Sequence, residues 1–217
     1  MGPSGLVIAV RTLTGAAVDP ALDDLARLRI AVFRDWPYLY DGDAAYERDY
    51  LRAYQRPGAV VVAAYDGDRM IGAATGAPME QHADEFAAAF ADRPERLEDI
   101  FYCAESVLLP QYRGQGLGHA FFDGREAQAQ ALGRRWSAFC SVLRPADHPA
   151  RPADYRPLDG FWRKRGYAPL PAVRGDLLQH LGRLDEARVE FERAASLTGN
   201  ARESAVLLAR AAACDGA

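Results

Sequence analysis

Cysteine is scarce in this chain. Its 217 residues include three, Cys103, Cys140 and Cys214, widely spaced and odd in number. That excludes a disulfide framework and a Cys-rich zinc site, and it fits a reducing cytoplasmic setting. Lysine is scarcer still: Lys164 stands alone, and arginine carries nearly all the positive charge. No apolar run approaches the ~18 residues of a membrane span. Met1 to Leu13 lacks a long apolar segment with a cleavage site, so no secretory leader is expected. A net charge of −4 argues against a nucleic-acid surface. What is present, 49% hydrophobic and 26% charged residues, is the mix of a globular protein with a real core. The length allows one generous domain, or one with a small appendage.

Alternation and turn residues divide the chain. Leu6 to Leu13 reads as an entry strand. A helix capped by Asp19 or Asp23 runs to about Arg34, with Leu22, Leu25, Leu28, Val32 and Phe33 on one face. Asp43 opens a second helix reaching Gln55, with Tyr46, Tyr50, Leu51 and Tyr54 on one side. Ala59 to Tyr65 and Arg69 to Thr75 form a hairpin about Asp66-Gly67-Asp68. Glu80 to Phe90 reads as helical and Ile100 to Leu109 as a strand. A long helix follows from Gly116 to Leu132, with Leu117, Ala120, Phe121, Ala127 and Ala131 inward. Trp136 to Leu143 is the next expected strand. A Pro-rich loop leads to a short helix from Leu158 to Arg165, and Tyr167 to Leu170 begins another strand. Beyond Pro171 the chain becomes rich in Ala, Leu, Arg and Glu. Two helices fit there, Val173 to Leu197 with a break near Gly182, and Ala201 to Ala213, joined at residues 198–200.

The chemistry concentrates in Leu108-Leu109-Pro110-Gln111-Tyr112-Arg113-Gly114-Gln115-Gly116-Leu117-Gly118. A strand ends, a Gly-rich turn follows and a long helix starts. Glycines let backbone N–H groups approach a ligand, and the helix N-terminus adds its positive dipole end. A phosphate or pyrophosphate is the expected ligand. No Gly-Lys-Ser/Thr follows, so this is not a P-loop, and glycines at 114, 116 and 118 miss the G-x-G-x-x-G spacing.

Gln111-x-x-Gly114-x-Gly116 resembles the Q/R-x-x-G-x-G/A signature of the GNAT N-acetyltransferases. Phe161-Trp162-Arg163-Lys164-Arg165-Gly166-Tyr167 resembles that family's F-Y-x-x-x-G-F segment, and the order of elements agrees from Leu6 to Pro171. The resemblance implies a GNAT-like α/β fold: a mixed, mostly antiparallel sheet flanked by helices. Here a C-terminal helical hairpin replaces the usual last strands. It also implies acetyl-CoA as cosubstrate and a small-molecule amine as acceptor, with no metal.

Residue by residue, the resemblance implies that the amides of Arg113, Gly114, Gln115, Gly116, Leu117 and Gly118 hold the pyrophosphate. Val107, Leu108 and Leu109 would pair with the pantetheine arm, and Phe161 would pack on CoA. The thioester would point between the strands of Glu105 and Cys140. Glu105, expected among apolar neighbours, is the candidate general base. Trp162 occupies the family's usual tyrosine position, which leaves Tyr155 as a distant candidate acid. Tyr38, Tyr40 and Asp41 are candidate acceptor-site residues.

The division expected is residues 1–171 as the acetyltransferase domain and 172–217 as a helical tail. The tail resembles a tetratricopeptide helix pair and the tails of some extracytoplasmic-function sigma factors. Three readings fit it: covering the sheet, forming a homodimer through Leu177, Leu181, Leu184 and Phe191, or a fused tail only loosely attached. Two alternatives to a small-molecule N-acetyltransferase stay open, a non-catalytic acyl-CoA-binding module and a protein acetyltransferase that recruits its target through the tail.

Overall fold

The computed structural model describes residues 8–84, 90, 93–142, 144, 146–171, 174, 178, 179, 182–197 and 201–214. Five strands form one sheet in the order β1-β2-β3-β4-β5. They are β1 (Ile8–Leu13), β2 (Val60–Asp66), β3 (Arg69–Pro78), β4 (Ile100–Leu108) and β5 (Trp136–Ala138). The first four pair antiparallel and β5 joins β4 in parallel. The expected entry strand is present from Ile8 onward, and its first two positions, Leu6 and Val7, lie outside the described residues.

Helix α1 (Leu22–Phe33) buries Leu22, Leu25, Leu28, Val32 and Phe33, the face expected from their spacing. Its N-terminus carries no side-chain cap, contrary to expectation. A 3-10 turn over Gly15–Ala21 leads into it, and Leu22 N–H bonds Asp19 O, so the first amides are met by backbone. Asp19 instead accepts from Gln55 Nε2 at 3.1 Å, and Asp23 pairs with Arg48. Helix α2 (Ala44–Leu51) is capped as expected, Asp43 accepting from Tyr46 N at 2.9 Å. A 3-10 turn extends it over Arg52–Gln55. Its inward face is Glu47 and Leu51, four residues apart, which leaves Tyr46 exposed.

Helix α3 (Leu117–Ala131) packs on β2, β3 and β4. Leu117, Phe121, Phe122, Arg125 and Ala129 are its buried residues. Ala127 and Ala131, expected inward, are exposed. The large side chains at 117 and 121 set the inner stripe, and 125 and 129 continue it at four-residue steps. Gly124 permits the close approach, since a Cβ there would meet Val62 Cγ2 at 2.6 Å.

Strand β5 covers three residues of the expected Trp136–Leu143. Residues 139–142 leave the sheet, and Leu143 lies outside the described residues. Parallel pairing stops at Tyr102↔Ala138, just short of an irregularity in β4. The chain divides into two compact units, residues 1–81 with 97–154, and residues 82–96 with 155–217. The first holds the sheet, its core built on Val60, Val61, Val62, Ile71, Phe101 and Phe121 with α1. In the second, α4 (Asp159–Lys164) is followed by an irregular segment at 167–170 in place of the expected strand. Pro169 and Pro171 supply no N–H for a ladder there.

The C-terminal helices α5 (Leu184–Leu197) and α6 (Ala201–Ala213) pack on one another. Phe191, Ala187, Leu207 and Ala211 form their shared core, and Leu184 packs against it. Leu184 and Phe191 are thus used inside the pair. Leu177, Leu181, residues 85–89 of the helix expected at Glu80 to Phe90, and the turn at 198–200 lie outside the described residues. Among the described residues no helix is long and apolar enough to cross a membrane.

Alanine should have opposite effects at two helical glycines. A Cβ at Gly160 meets nothing within 4 Å, so Gly160→Ala should stabilise by up to about 1 kcal/mol of helix propensity. Gly124→Ala forces a stiff valine to move, and overpacking of about 1–3 kcal/mol outweighs that gain. Denaturant midpoints at unchanged slope read both signs.

Candidate active site

The site begins with a register shift. Ala74 faces Ser106 while Gly76 faces Cys103, so Ala104 and Glu105 together oppose Thr75 alone. This is a β-bulge, and it interrupts the ladder at Glu105. Side chains replace the missing bonds. Thr75 Oγ1 accepts from Glu105 N at 3.3 Å, and Arg125 Nη1 donates to Glu105 O at 3.2 Å and to Thr75 O at 3.4 Å. Arg125 is 2% exposed and also donates from Nε to Phe121 O at 3.2 Å.

The Glu105 side chain enters a charged cluster, where sequence reasoning expected apolar neighbours. Arg29 of α1 forms ion pairs with Glu105 and with Glu47 of α2. Tyr50 Oη donates to Glu105 Oε1 at 3.1 Å. The Arg29 guanidinium lies 4.8 Å from the Phe33 ring centre and 4.6 Å from that of Tyr50. Glu47 is fully buried, Arg29 is 8% exposed, and the Glu105 side chain keeps 18% exposure. Two carboxyl groups face one guanidinium, and Glu105 is the one that reaches solvent. Burial pushes the phenol of neighbouring Tyr54 far above its ordinary value.

Beyond the bulge, β4 has no partner strand on its β5 side among the described residues. Leu109 N donates to Ile71 O at 3.0 Å. The alternation of an antiparallel ladder then turns the backbone groups of Val107 and Leu109 toward β3, and those of Ser106 and Leu108 toward the open edge. Of the three residues expected to pair with a pantetheine arm, Leu108 is the one whose backbone faces the open edge, and its carbonyl there accepts from Arg113 Nε at 3.4 Å.

The Gly-rich turn follows at once. Gly114 and Gly116 have φ of 77° and 83°, values that favour glycine. A Cβ at either would meet nothing within 4 Å. Gly116 precedes α3 with no side-chain cap. No backbone acceptor is seen among the described residues for the amides of residues 114–118. The Arg113 amide differs, since it already donates to Pro110 O at 3.1 Å. Tyr112 Oη ties the turn to the β2–β3 hairpin by donating to Asp66 Oδ2 at 2.7 Å, a bond that holds its phenol above the ordinary value.

The acceptor-side residues have structural partners. Tyr38 stacks on Phe33 at 4.2 Å between ring centres. Its carbonyl and that of Pro37 receive the Arg144 guanidinium at 2.8 and 2.9 Å. Tyr40 is exposed, with a phenol raised by desolvation and by neighbouring Glu47. Asp41 is exposed and paired with Arg34 at 3.2 Å. Cys140 is exposed past the end of β5 rather than within it. Tyr155 and Phe161 belong to the second compact unit, both half-buried, Phe161 within α4. Among the described residues no three His, Cys, Asp or Glu side chains cluster to hold a metal ion.

Sequence reasoning missed Arg29, Glu47, Thr75 and Arg125. Arg29 and Arg125 had a signal, since each sits at a core position of its helix's apolar stripe, where a charge needs buried partners.

No family model matches the chain, and no curated protein matches it in sequence. Solved structures do match in fold. The aminoglycoside N-acetyltransferase AAC(6')-Iy, solved with the bisubstrate analogue CoA-S-monomethyl-acetylneamine, is 15% identical with a TM-score of 0.50, over 75% of this chain and 91% of that one. The V. cholerae integron cassette protein VCH_CASS6 is 15% identical with a TM-score of 0.50, over 76% and 88%. An acetyltransferase-like protein of Clostridium difficile 630 is 8% identical with a TM-score of 0.51, over 75% and 91%. The sigma-factor resemblance of the tail finds no support in these similarities.

Replacing Glu47 by Gln removes one partner of a buried ion pair, a change that costs about 3–5 kcal/mol where no second partner remains. Glu105 still faces Arg29, so a loss of about 1–3 kcal/mol is expected in the denaturant midpoint, in the range for leaving a buried polar group under-satisfied. Asp41→Asn, at an exposed pair, should leave the midpoint unchanged. At the identities found, the likeness establishes fold, and the chain has the GNAT acetyltransferase fold, a mixed five-stranded sheet with flanking helices and a C-terminal helix pair.

Proposed function

We propose that this protein is an acetyl-CoA-dependent N-acetyltransferase acting on a primary amine of a small molecule. One observation carries the reading. A strand with an open edge runs directly into a helix N-terminus whose unpartnered amides, at residues 114–118, are lined by two positive-φ glycines with open space above them. Such an end suits a pyrophosphate, and the open edge beside it suits an extended amide-bearing arm. AAC(6')-Iy, of the same fold, was solved with a CoA-based bisubstrate analogue.

In this reading Gly114, Gln115, Gly116, Leu117 and Gly118 hold the pyrophosphate through their amides, while the Arg113 amide and side chain are engaged by Pro110 O and Leu108 O. Leu108 offers its amide to the pantetheine arm, with Val107 and Leu109 forming the wall behind it. Glu105 takes the proton that the acceptor ammonium must lose before its nitrogen attacks, directly or through water. The pair of acidic side chains, Glu47 and Glu105, against the single Arg29 suits a cationic acceptor. Tyr38, Tyr40 and Asp41 stay candidates for its walls. Tyr155 as acid and Phe161 as a CoA contact enter on the strength of the resemblance alone, as does the division at residue 171.

A second reading, an acyl-CoA-binding module without turnover, is favoured by the ion pair that engages Glu105. The two part at Glu105→Gln. In an enzyme that change should leave the acetyl-CoA-dependent rise in melting temperature intact and cut turnover with an amine panel by about 10²–10⁴-fold. In a module there is no turnover to lose. Gly116→Trp should abolish the ligand-dependent rise. A rise that survives it would place CoA elsewhere.

A further inference from the structure

The bulge gives Arg125 a place in the reaction proposed above. Glu105 lies at the register shift between β3 and β4. Arg125 Nη1 takes the position a ladder donor would have held, reaching both Glu105 O and Thr75 O. From the other end, Thr75 Oγ1 accepts the Glu105 amide. The peptide unit that follows is therefore pinned by its oxygen.

A pinned carbonyl also aims an amide. Among the described residues the one cis peptide bond is Trp36-Pro37, so the Glu105–Ser106 peptide is trans. In a trans peptide the C=O and N–H point in opposite directions. With Glu105 O held toward β3 by Arg125, Ser106 N–H points to the open edge of β4. The register agrees independently. Leu109 bonds Ile71, Val107 faces Ala73, and Ser106 falls at the alternate position, whose N–H turns away from β3. Ser106 thus offers an N–H one residue from Glu105 on the edge that leads to the Gly-rich turn.

We infer that Arg125 is a positioning residue: by clamping the carbonyls of Glu105 and Thr75 it aims the Ser106 amide at the thioester carbonyl of bound acetyl-CoA. It touches no reacting atom. Its guanidinium fixes in advance the direction of a hydrogen-bond donor that counters charge developing on the carbonyl oxygen. It also ties that donor to the helix whose N-terminus receives the pyrophosphate, since α3 carries both. The inference rests on the acetyl-CoA reading.

The test needs no knowledge of the acceptor. Infrared difference spectra of carbonyl-labelled acetyl-CoA, bound to the full-length protein, report hydrogen bonding to the thioester oxygen. The wild type should shift the thioester carbonyl band to lower frequency than in water-excluded solvent. Arg125→Met, which keeps a long apolar stem, should lose most of that shift while its affinity for CoA, which has no acetyl group, stays within about threefold. Arg125→Lys should restore part of the shift. Thr75→Val, a near-isosteric change, releases the other clamp and should lose part of it, and it carries the test if Arg125→Met does not fold. An equal band position in wild type and variants overturns the positioning role and leaves the acetyl-CoA reading standing. A wild type that binds neither acetyl-CoA nor CoA overturns both.

Discussion

A backbone amide and carbonyl that leave a β-ladder must find other partners or lose about 1–3 kcal/mol each when buried. Glu105 is in that position because β4 carries one residue more than β3 between Cys103 and Ser106. Thr75 and Arg125 meet the demand with side chains. The rest of the site follows. The parallel pairing with β5 stops before the bulge, so the edge beyond it is open, and that edge runs straight to the glycines that start α3. The bulge also turns the Glu105 side chain to Arg29 on α1.

Two cationic side chains therefore act on one residue for different purposes. Arg125 holds the Glu105 backbone from α3, and Arg29 holds its carboxylate from α1. Arg29 is itself fixed by fully buried Glu47 and by the faces of Phe33 and Tyr50. Isolated charges at these burials would be expensive. Pairing makes them tolerable, and Glu105 is the member at the solvent-facing end.

Elements with strong local signals were legible in the sequence. The hairpin about Gly67, the cap at Asp43, the Gly-rich turn and the helix from Ala201 to Ala213 stand where turn residues and periodicity put them. Features decided by tertiary pairing were not. The length of β5 depends on a bulge in its neighbour, and a bulge leaves no mark in composition. The surroundings of Glu105 depend on Arg29, 76 positions away in the chain, which local reading treated as one more charged residue on a helix. The inward face of α3 was misjudged because small alanines were preferred to an arginine, although Arg125 continues the stripe of Leu117 and Phe121.

The central claim is that the open edge of β4 and the amides at the start of α3 form one ligand surface. Amide-resolved NMR of the labelled protein, titrated with CoA, tests it most directly. The account predicts the largest shifts at Gly114, Gln115, Gly116, Leu117 and Gly118, joined by Ser106 and Leu108, whose amides face the open edge. Shifts confined to other elements, or none at saturating CoA, would contradict it.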